Sequence, residues 1–476
     1  MYYPTKLLRR FVSLSRMDGH IRESQRTKWD SALLLRYVPW CMGVLVWMLA
    51  VPEPYAQRLT LTPSLSVGER YDSNIFQDSS GEVDDFVTSV SPGIRLDYLS
   101  TAPTPETKLE FDYRADFEFF ADRSDQDQIA HFGFVQFSSQ LTRTLTLRVL
   151  DRLIITEDPL EREEVRDQNT GLGPASQQTR ERTVVNRGDI ALDVLLGQRF
   201  GLGMLFNSYI ADVSDPDDVD EFRYSLGADL GYFTDVRRGS RATLSYLVTL
   251  HNFHSNGGIV REDFVVHNAI AGFRHLFTPT LSGRVALGYA IVVSDDPEED
   301  GRDAILAALE IKKTFSTGEA SFLYNRRITS GEDEGGTVLE DTLSVALLTR
   351  LGGKTTARLR SDLSFFDFQR VDPSTEGDRW FWSVRPTLSY QISRPWGASL
   401  GYIYEYTNYT QGDFQNRSDH RLVLATQLSM REWLFFELSY RFSARHVGEG
   451  QPVGDATDFD RHQVMLTVTA RPAFRF

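Results

Sequence analysis

The sequence predicts an all-β protein: a single transmembrane antiparallel up-and-down β-barrel of about 20 strands (18–22), of the bacterial outer-membrane type. Three observations predict it. Apolar and polar residues alternate with a period of two, the alternating segments run to 11–15 residues, and the connections between them are short and long in turn. No segment with a convincing helical period interrupts this pattern after residue 59.

The alternation is clearest in KLEFDYRADFEFF, residues 108–120, where every second residue is apolar and almost every residue between is charged. Side chains of a strand point to opposite faces in turn, so one face of this segment is apolar and the other charged. FRYSLGADLGY and FFELSYRFSAR repeat the pattern. We predict that the apolar faces meet lipid and that the charged faces line a wet interior.

Strand length and the parity of the connections separate a barrel from a soluble β-sandwich, which also alternates. Segments of 11–15 residues exceed the usual soluble strand of about 5–6 residues. They suit tilted strands that cross a bilayer. Short connections such as LTRT, GQRF and FTPT follow even-numbered segments, whereas longer acidic ones such as SDDPEEDGRD follow odd-numbered segments. This parity is typical of outer-membrane barrels, with short turns in the periplasm and longer loops outside.

The alternation divides the chain into twenty segments. We predict strands at residues 59–71, 86–99, 107–121, 129–141, 145–156, 183–196, 200–213, 221–234, 240–254, 263–276, 281–293, 303–314, 318–328, 339–351, 355–368, 379–392, 396–409, 418–430, 434–446 and 460–476. Trp380, Trp396 and Trp433 fall near the connections, as expected for interfacial aromatic girdles.

The last predicted strand carries an insertion signal for the barrel assembly machinery, because Phe474 and Phe476 end the chain in the apolar phase. Pro63 and Pro472 lie in the first and last strands, where the barrel must close, and each removes a ladder donor. These prolines are the weak point of the predicted closure.

Residues 1–56 have the features of a secretory signal peptide, which leaves residues 57–476 as the barrel. An apolar run, Val38–Ala50, follows basic residues and precedes an expected cut after Ala56, and Met17 is an alternative start. The other interpretation is an uncleaved membrane anchor, but the run is short for a helix that spans a bilayer. Cys41, the only cysteine, lies in this leader, so residues 57–476 can form no disulfide.

The charge balance argues against a nucleic-acid partner. The chain has a net charge of -15, and its leader holds eight Lys+Arg against four Asp+Glu, which leaves -19 for residues 57–476. A nucleic-acid-binding protein would instead need a basic patch.

The hexapeptide YDSNIF, residues 71–76, is followed by an acidic Gly/Ser stretch and then by VTSVSPGIRLDY. This region resembles the β-barrel porin type 2 family, whose members are found beside bacterial exopolysaccharide synthesis genes. The resemblance implies passage or assembly of an exported polysaccharide in the outer membrane, with periplasmic export partners.

Charged residues in the inward phase of the predicted strands are the candidate lumen-lining residues. They are Asp112, Arg114, Asp116, Glu118, Asp193, Arg223, Asp229, Arg241, Arg358, Arg360, Asp362, Arg385, Glu437, Arg441 and Arg445. Arginine can bind carboxylates in a two-pronged fashion, so clusters of arginine would suit an anionic polysaccharide. The alternative is that opposite charges on neighbouring strands pair and brace the wall, which we favour for any single residue.

Two connections have candidate roles of their own. The longest, Glu157–Arg182, either folds inward as a constriction or stays in solvent. Asp296, Glu298 and Asp300 resemble the first half of a calcium loop, but the closing Glu is missing. We favour a solvated acidic surface that divalent ions bridge to lipopolysaccharide, and so predict no protein metal site.

Sequence motifs for catalysis are absent: the chain has no GxSxG, no HExxH and no phosphate loop. We predict no enzyme activity and no cofactor. The main hypothesis is an outer-membrane channel, surrounded by lipid and lipopolysaccharide, that assists export of an anionic exopolysaccharide. A general or substrate-selective uptake porin is the first alternative, and a surface barrel for adhesion is the second.

Overall fold

The described part of the chain consists of twelve ranges. The computed structural model describes residues 57–77, 81–100, 106–157, 182–213, 219–235, 239–255, 263–294, 303–330, 337–368, 378–409, 416–448 and 458–476. The predicted signal peptide, residues 1–56, lies outside these ranges. Within them no helix is long and apolar enough to cross a membrane.

Twenty strands of 12–17 residues and one two-residue strand make up almost all of the described chain, beside a single 3-10 turn at Ser124–Gln126. The strands are β1 Gln57–Asp72, β2 Asp85–Ser100, β3 Thr107–Phe120, β4 Gln128–Thr142, β5 Leu145–Thr156, β6 Thr183–Leu195, β7 Phe200–Val213, β8 Val219–Asp235, β9 Ser240–Ser255, β10 Phe264–Thr278, β11 Leu281–Ser294, β12 Asp303–Phe315, β13 Gly318–Ser330, β14 Thr337–Arg350, β15 Thr355–Phe368, β16 Arg379–Gln391, β17 Trp396–Tyr409, β18 Arg417–Arg431, β19 Leu434–Val447, β20 Phe459–Ala470 and β21 Phe474–Arg475.

Every strand from β1 to β19 pairs antiparallel with the next strand in the chain, and β20 pairs antiparallel with β1. The last of these pairings runs from Leu65 opposite Ala470 to Asp72 opposite Gln463. The sheet is therefore closed, and the prediction of an antiparallel barrel of about 20 strands is confirmed. Closure removes the sheet edge, which hydrocarbon could not hydrogen-bond.

The last strand differs from the prediction of one continuous segment at residues 460–476. β20 ends at Ala470, and pairing resumes only at Phe474 in β21. The register is nevertheless unchanged across the break, because Leu65 lies opposite Ala470 and Leu61 lies opposite Phe474. The strand is interrupted without a bulge.

The two prolines of the seam explain this interruption. The constant register places Pro63 opposite Pro472. Leu59 and Phe476 exchange both of their backbone N–H···O bonds, at 3.3 and 2.9 Å, and such pairs recur at every second residue of an antiparallel ladder. Pro63 and Pro472 therefore occupy a rung that should exchange two bonds, but neither residue has a donor. The two missing donors remove a single rung.

The outward face of the sheet is apolar along its whole circumference. Leu226, Leu244 and Ile305 are more than 60% exposed, and exposed Leu, Ile, Val and Phe side chains recur in the same phase of the other strands. In β3 this phase contains Leu109 and Phe117, as the alternation predicts. An outer surface of this composition requires hydrocarbon around it, so the barrel spans a membrane.

The two rims of the barrel differ in the length of their connections. Two-residue turns such as 143–144, 279–280 and 432–433 join strands at one rim, whereas connections such as 448–458 join them at the other. We call these the periplasmic end and the outer end, in keeping with the asymmetry of outer-membrane barrels. Trp396 and Trp433 are exposed beside periplasmic turns, where an aromatic girdle is expected.

Candidate functional site

The inner wall holds all fifteen charged residues that the sequence proposes for the lumen. The strand registers place them on the face opposite the exposed apolar side chains; Asp112, for example, lies opposite Arg95, and Arg441 lies opposite Gln463. Their part in solute passage stays a prediction. Their contacts divide the wall into two regions of different charge.

On β1–β9 the proposed residues are mostly balanced by opposite charges on the same wall. Arg241 donates to Asp229 at 2.6 Å, and Arg114 lies 2.9 Å from Asp116. Arg148 likewise pairs with Asp193, Arg223 lies 3.6 Å from Glu221, and Glu118 lies 3.0 Å from Arg70. These contacts fit the bracing interpretation.

On β15–β20 arginine is in excess. The inward arginines of these six strands are Arg358, Arg360, Arg379, Arg385, Arg417, Arg421, Arg441, Arg445 and Arg461. The inward carboxylates are Asp362, Glu405, Asp419 and Glu437. Nine cations against four anions leave an excess of five positive charges on this part of the wall.

Two carboxylates of this region each serve two arginines. Glu405 accepts from Arg385 at 2.9 Å and lies 3.7 Å from Arg421. Asp419 lies between Arg417, at 2.9 Å, and Arg445, at 2.7 Å. Each group therefore has a surplus of one positive charge. The Asp419 group is buried near the outer end, whereas Arg385 and Arg421 are partly exposed.

The excess continues toward the periplasmic end in β15. Arg358 and Arg360 are exposed, and Arg360 lies directly opposite Arg385 in the register. Arg360 also donates to Asp362 at 2.7 Å, and Ser344 donates to the same carboxylate at 2.5 Å. We call Arg358, Arg360, Arg385 and Arg421 the mid-wall arginines.

The inner face of β10–β12 is different, since it is apolar toward the outer end. Its buried side chains are Phe264, Val266, Ala290, Val292 and Leu306. His251 of β9 stacks on Phe264 with ring centroids 4.3 Å apart. This cluster packs like a small core and adds no charge to the wall.

The YDSNIF segment closes the barrel at its outer end. Asp72 is fully buried and accepts from Arg461 at 2.9 and 2.5 Å and from Gln463 at 2.8 Å. The backbone N–H of Asn74, also fully buried, donates to Asp72 at 3.2 Å. We call Asp72, Asn74, Arg461 and Gln463 the outer latch, because it joins the end of β1 to β20.

The rest of the hexapeptide supports the outer latch. The N–H of Ser73 donates to the carbonyl of His462 at 3.0 Å, and the N–H of His462 donates to Ser73 Oγ at 2.8 Å. Ile75 packs with Val87 and Phe120. The segment that carries the family resemblance therefore has a structural role in closure.

The lumen candidates proposed from the sequence do not include the inward residues Arg379, Arg417, Arg421 and Arg461. The signal was present for Arg379, Arg421 and Arg461, since they fall in the inward phase of predicted strands, whereas Arg417 lies one residue before the predicted strand at 418–430. The contact of Arg461 with Asp72 could not be recognised in this way, because it depends on the register between the first and last strands.

Several predicted sites fall outside the described residues. Asp296, Glu298 and Asp300 do so entirely, as does the Glu157–Arg182 connection between its two end residues. Across the ranges that are described, no group of His, Cys, Asp and Glu is arranged to hold a metal ion.

The closed sheet, its apolar outer face and its charged inner wall make this chain a bacterial outer-membrane β-barrel of channel size. No protein-family model matches the sequence, and no curated protein matches it. The relationship to the β-barrel porin type 2 family stays a prediction.

Solved outer-membrane structures are similar in fold. The siderophore receptor PirA from Pseudomonas aeruginosa shares 10% identity over 86% of this chain and 80% of its own, with a TM-score of 0.46. OccK11 (OpdR) from the same organism shares 13% over 89% of this chain and 98% of its own, with a TM-score of 0.41. OccAB3 from Acinetobacter baumannii shares 12% over 88% and 99%, with a TM-score of 0.42.

Proposed function

We propose that the protein is a passive, substrate-selective uptake channel that admits small anionic solutes through the outer membrane, and that it is not an enzyme. The observation that supports this is the set of mid-wall arginines. Arg358 and Arg360 are exposed, Arg385 and Arg421 are partly exposed, and the inner face of β15–β17 carries only Asp362 and Glu405 as carboxylates. Guanidinium groups bind carboxylates and phosphates in a two-pronged geometry.

The size of the barrel is compatible with an aqueous path. Barrels of about 16–18 strands already leave a water-filled channel, and this one has 20 long strands. A surplus of one sign of charge in a passage with low-dielectric walls raises the local concentration of counter-ions. The mid-wall arginines therefore favour anions at the height where a solute must cross.

Accessibility separates the two interpretations of the inward arginines. Arg417, Arg445 and Arg461 are buried against Asp419 and Asp72, so they brace the outer end. The mid-wall arginines reach the interior instead. Bracing is thus assigned to the buried arginines of this wall, and solute binding to the exposed ones.

Ion selectivity tests the proposal. The refolded chain is placed in a planar bilayer between unequal KCl solutions. The sign of its reversal potential should show that chloride permeates more readily than potassium. Arg358→Gln should lower the anion-to-cation permeability ratio by about threefold, as expected for a change of about 0.6 kcal/mol in a wet lumen.

Arg326→Gln is the charge-matched control, because Arg326 faces outward and pairs with Asp341 at 3.2 Å. It should leave the permeability ratio unchanged. Cation preference of the unsubstituted channel, or equal effects of both substitutions, would contradict the proposal.

Export of an anionic exopolysaccharide would use the same arginines in the opposite direction. This hypothesis depends on the resemblance at Tyr71–Phe76, and no described contact favours a polymer over a small solute. Deletion of the gene distinguishes the two: polymer trapped in the periplasm would favour export, whereas normal secretion with slower uptake of small anions would favour the channel proposed. The adhesion hypothesis depends on acidic connections that lie largely outside the described residues.

A further inference from the structure

Four tyrosine–histidine hydrogen bonds recur on the outward face of the barrel. They join odd-numbered strands to the strands that follow. The pairs are Tyr113–His131 at 2.9 Å, Tyr246–His267 at 2.9 Å, Tyr402–His420 at 2.7 Å and Tyr440–His462 at 2.9 Å, each between the tyrosine hydroxyl and Nδ1. We call them the Tyr–His pairs.

The geometry of the Tyr–His pairs is the same in all four places. The histidine always precedes the register partner of the tyrosine by two residues; Tyr113 lies opposite Gly133, for example, and bonds His131. Every one of the four histidines is also the fourth residue of its strand. They therefore lie at one height, about 10 Å along the strand from the outer end.

Histidine is enriched on the outward face near the outer end of this barrel, beyond the four Tyr–His pairs. Six of the eight histidines in the described ranges face outward near the outer end: His131, His254, His267, His420, His446 and His462. Of the other two, His251 faces inward and His275 lies toward the periplasmic end. The enrichment is specific to one membrane leaflet.

The hydrogen bond within each pair accounts for the tyrosine hydroxyl and for Nδ1 of the histidine, but not for Nε2. An aromatic belt at the interface is ordinary, and the bond satisfies Nδ1 and the hydroxyl. When the hydroxyl donates to Nδ1, however, the proton of a neutral imidazole lies on Nε2, which then needs an acceptor. Phosphoryl oxygens of lipid headgroups are acceptors of this kind.

The position of the Tyr–His pairs near the outer end indicates which lipid they contact. Phosphates occur in both leaflets, but lipopolysaccharide occupies only the outer one, and the Tyr–His pairs lie only near the outer end. Competing basic groups are scarce there. Arg326 is the only outward arginine or lysine in the outer half of the described strands, and it is paired with Asp341.

We propose that the Tyr–His pairs are binding sites for the phosphorylated headgroup of outer-leaflet lipopolysaccharide. In each site the tyrosine hydroxyl orients the imidazole, and Nε2–H donates to a phosphoryl oxygen. The inference is independent of the direction of transport through the lumen, since all eight residues lie on the lipid-facing side.

The barrel itself provides a matched control. Tyr289 and Tyr324 donate across the same diagonal to Asp303 and Asp341, at 2.8 and 2.7 Å. These two Tyr–Asp pairs belong to the same aromatic belt but contain no imidazole. Their substitution disturbs the belt without removing a histidine donor.

The test measures lipopolysaccharide bound to the folded barrel in nanodiscs, by native mass spectrometry and by titration with fluorescent lipopolysaccharide. The variant replaces the histidines of all four Tyr–His pairs by Phe, and the control is Tyr289→Phe with Tyr324→Phe. We expect about tenfold weaker binding for the histidine variant, as for loss of a charge-assisted hydrogen bond, and near-normal binding for the control.

A parallel titration measures the binding of phosphatidylglycerol to the barrel in nanodiscs that contain no lipopolysaccharide. The histidine variant should bind phosphatidylglycerol as the unsubstituted barrel does. Unchanged lipopolysaccharide binding, an equal loss with phosphatidylglycerol, or an equal loss in the control would each overturn the proposal. If the fourfold variant lacks the heat-modifiable mobility of a folded barrel, His420→Phe with His462→Phe is measured instead, with about half the sites lost.

Discussion

The two ends of the barrel seam differ in how they are closed. At the outer end, β1 and β20 are joined by Asp72, Arg461 and Gln463, all buried and hydrogen-bonded. Toward the periplasmic end, Pro63 faces Pro472, and their rung of the ladder has no backbone donor. The same pair of strands is thus bound firmly at one end and weakly at the other.

Magnitudes show which end dominates closure. Removal of one partner from a buried ion pair costs about 3–5 kcal/mol, because the remaining charge is left unpaired. A lost backbone hydrogen bond costs about 0.5–1.5 kcal/mol, so a rung without both bonds loses about 1–3 kcal/mol. The outer latch therefore contributes more to closure than the missing rung removes, and the seam should open first at its periplasmic end.

Among these substitutions, Asp72→Ala should reduce the stability of the barrel most. It leaves Arg461, whose side chain is 1% exposed, without its carboxylate, so the free energy of unfolding should fall by about 3–5 kcal/mol. Denaturant unfolding of the barrel in lipid vesicles, followed by tryptophan fluorescence, measures this change.

The control is Asp97→Ala on β2, where Asp97 pairs with Arg95 and both side chains are more than 40% exposed. An exposed pair of this kind contributes about 0–1 kcal/mol. If Asp72→Ala were no more destabilising than Asp97→Ala, the outer latch would not be what closes the seam.

The double substitution Asp72→Asn with Arg461→Gln distinguishes the energy of the ion pair from the separate contributions of the two side chains. With both charges removed no unpaired ion stays buried, so the double variant should be less destabilised than Asp72→Ala by about 1–3 kcal/mol. The same unfolding measurement, arranged as a double-mutant cycle, gives the coupling energy. Additive losses would mean that Asp72 and Arg461 stabilise the barrel independently.

The seam also shows where sequence reasoning ends. Alternation and turn parity were sufficient for twenty strands and for the two faces of each, because these depend on neighbouring residues. Asp72 and Arg461, however, are 389 residues apart, and their contact exists only once the sheet closes in one register. The prolines were recognised as seam residues, but their direct opposition depends on that same register.

The other side-chain pairs follow the same rule. Three of the four mid-wall arginines, Arg358, Arg360 and Arg385, were predicted from the inward phase, yet their excess over carboxylates becomes visible only when β15–β20 are assembled. The Tyr–His pairs were missed entirely. Each contact is diagonal between two strands, and the register of one strand against another cannot be read from the pattern of a single strand.

Pro63→Val with Pro472→Val should strengthen the weaker end. The strands on both sides of the two prolines keep one register, so valine can continue the ladder there. The substitution restores two donors on one rung, and the free energy of unfolding should rise by about 1–3 kcal/mol. Hydrogen exchange at the amides of Leu61 and Phe474 should slow in parallel. Pro63→Val alone restores one donor and should give about half the effect; no gain from the double variant would show that the missing rung does not weaken the seam.

Phe476→Ser should have the smallest effect on stability and therefore separates closure from assembly. The Phe476 side chain is 73% exposed, and its bonds to Leu59 are made by the backbone, so the free energy of unfolding should change by less than about 1 kcal/mol. If the terminal aromatic is an insertion signal, the barrel assembly machinery should nevertheless insert this variant more slowly, as measured by the appearance of heat-modifiable protein in cells. Slower insertion with unchanged unfolding would locate the role of Phe476 in assembly. A loss of stability similar to that of Asp72→Ala would instead make the periplasmic end as important to closure as the outer latch.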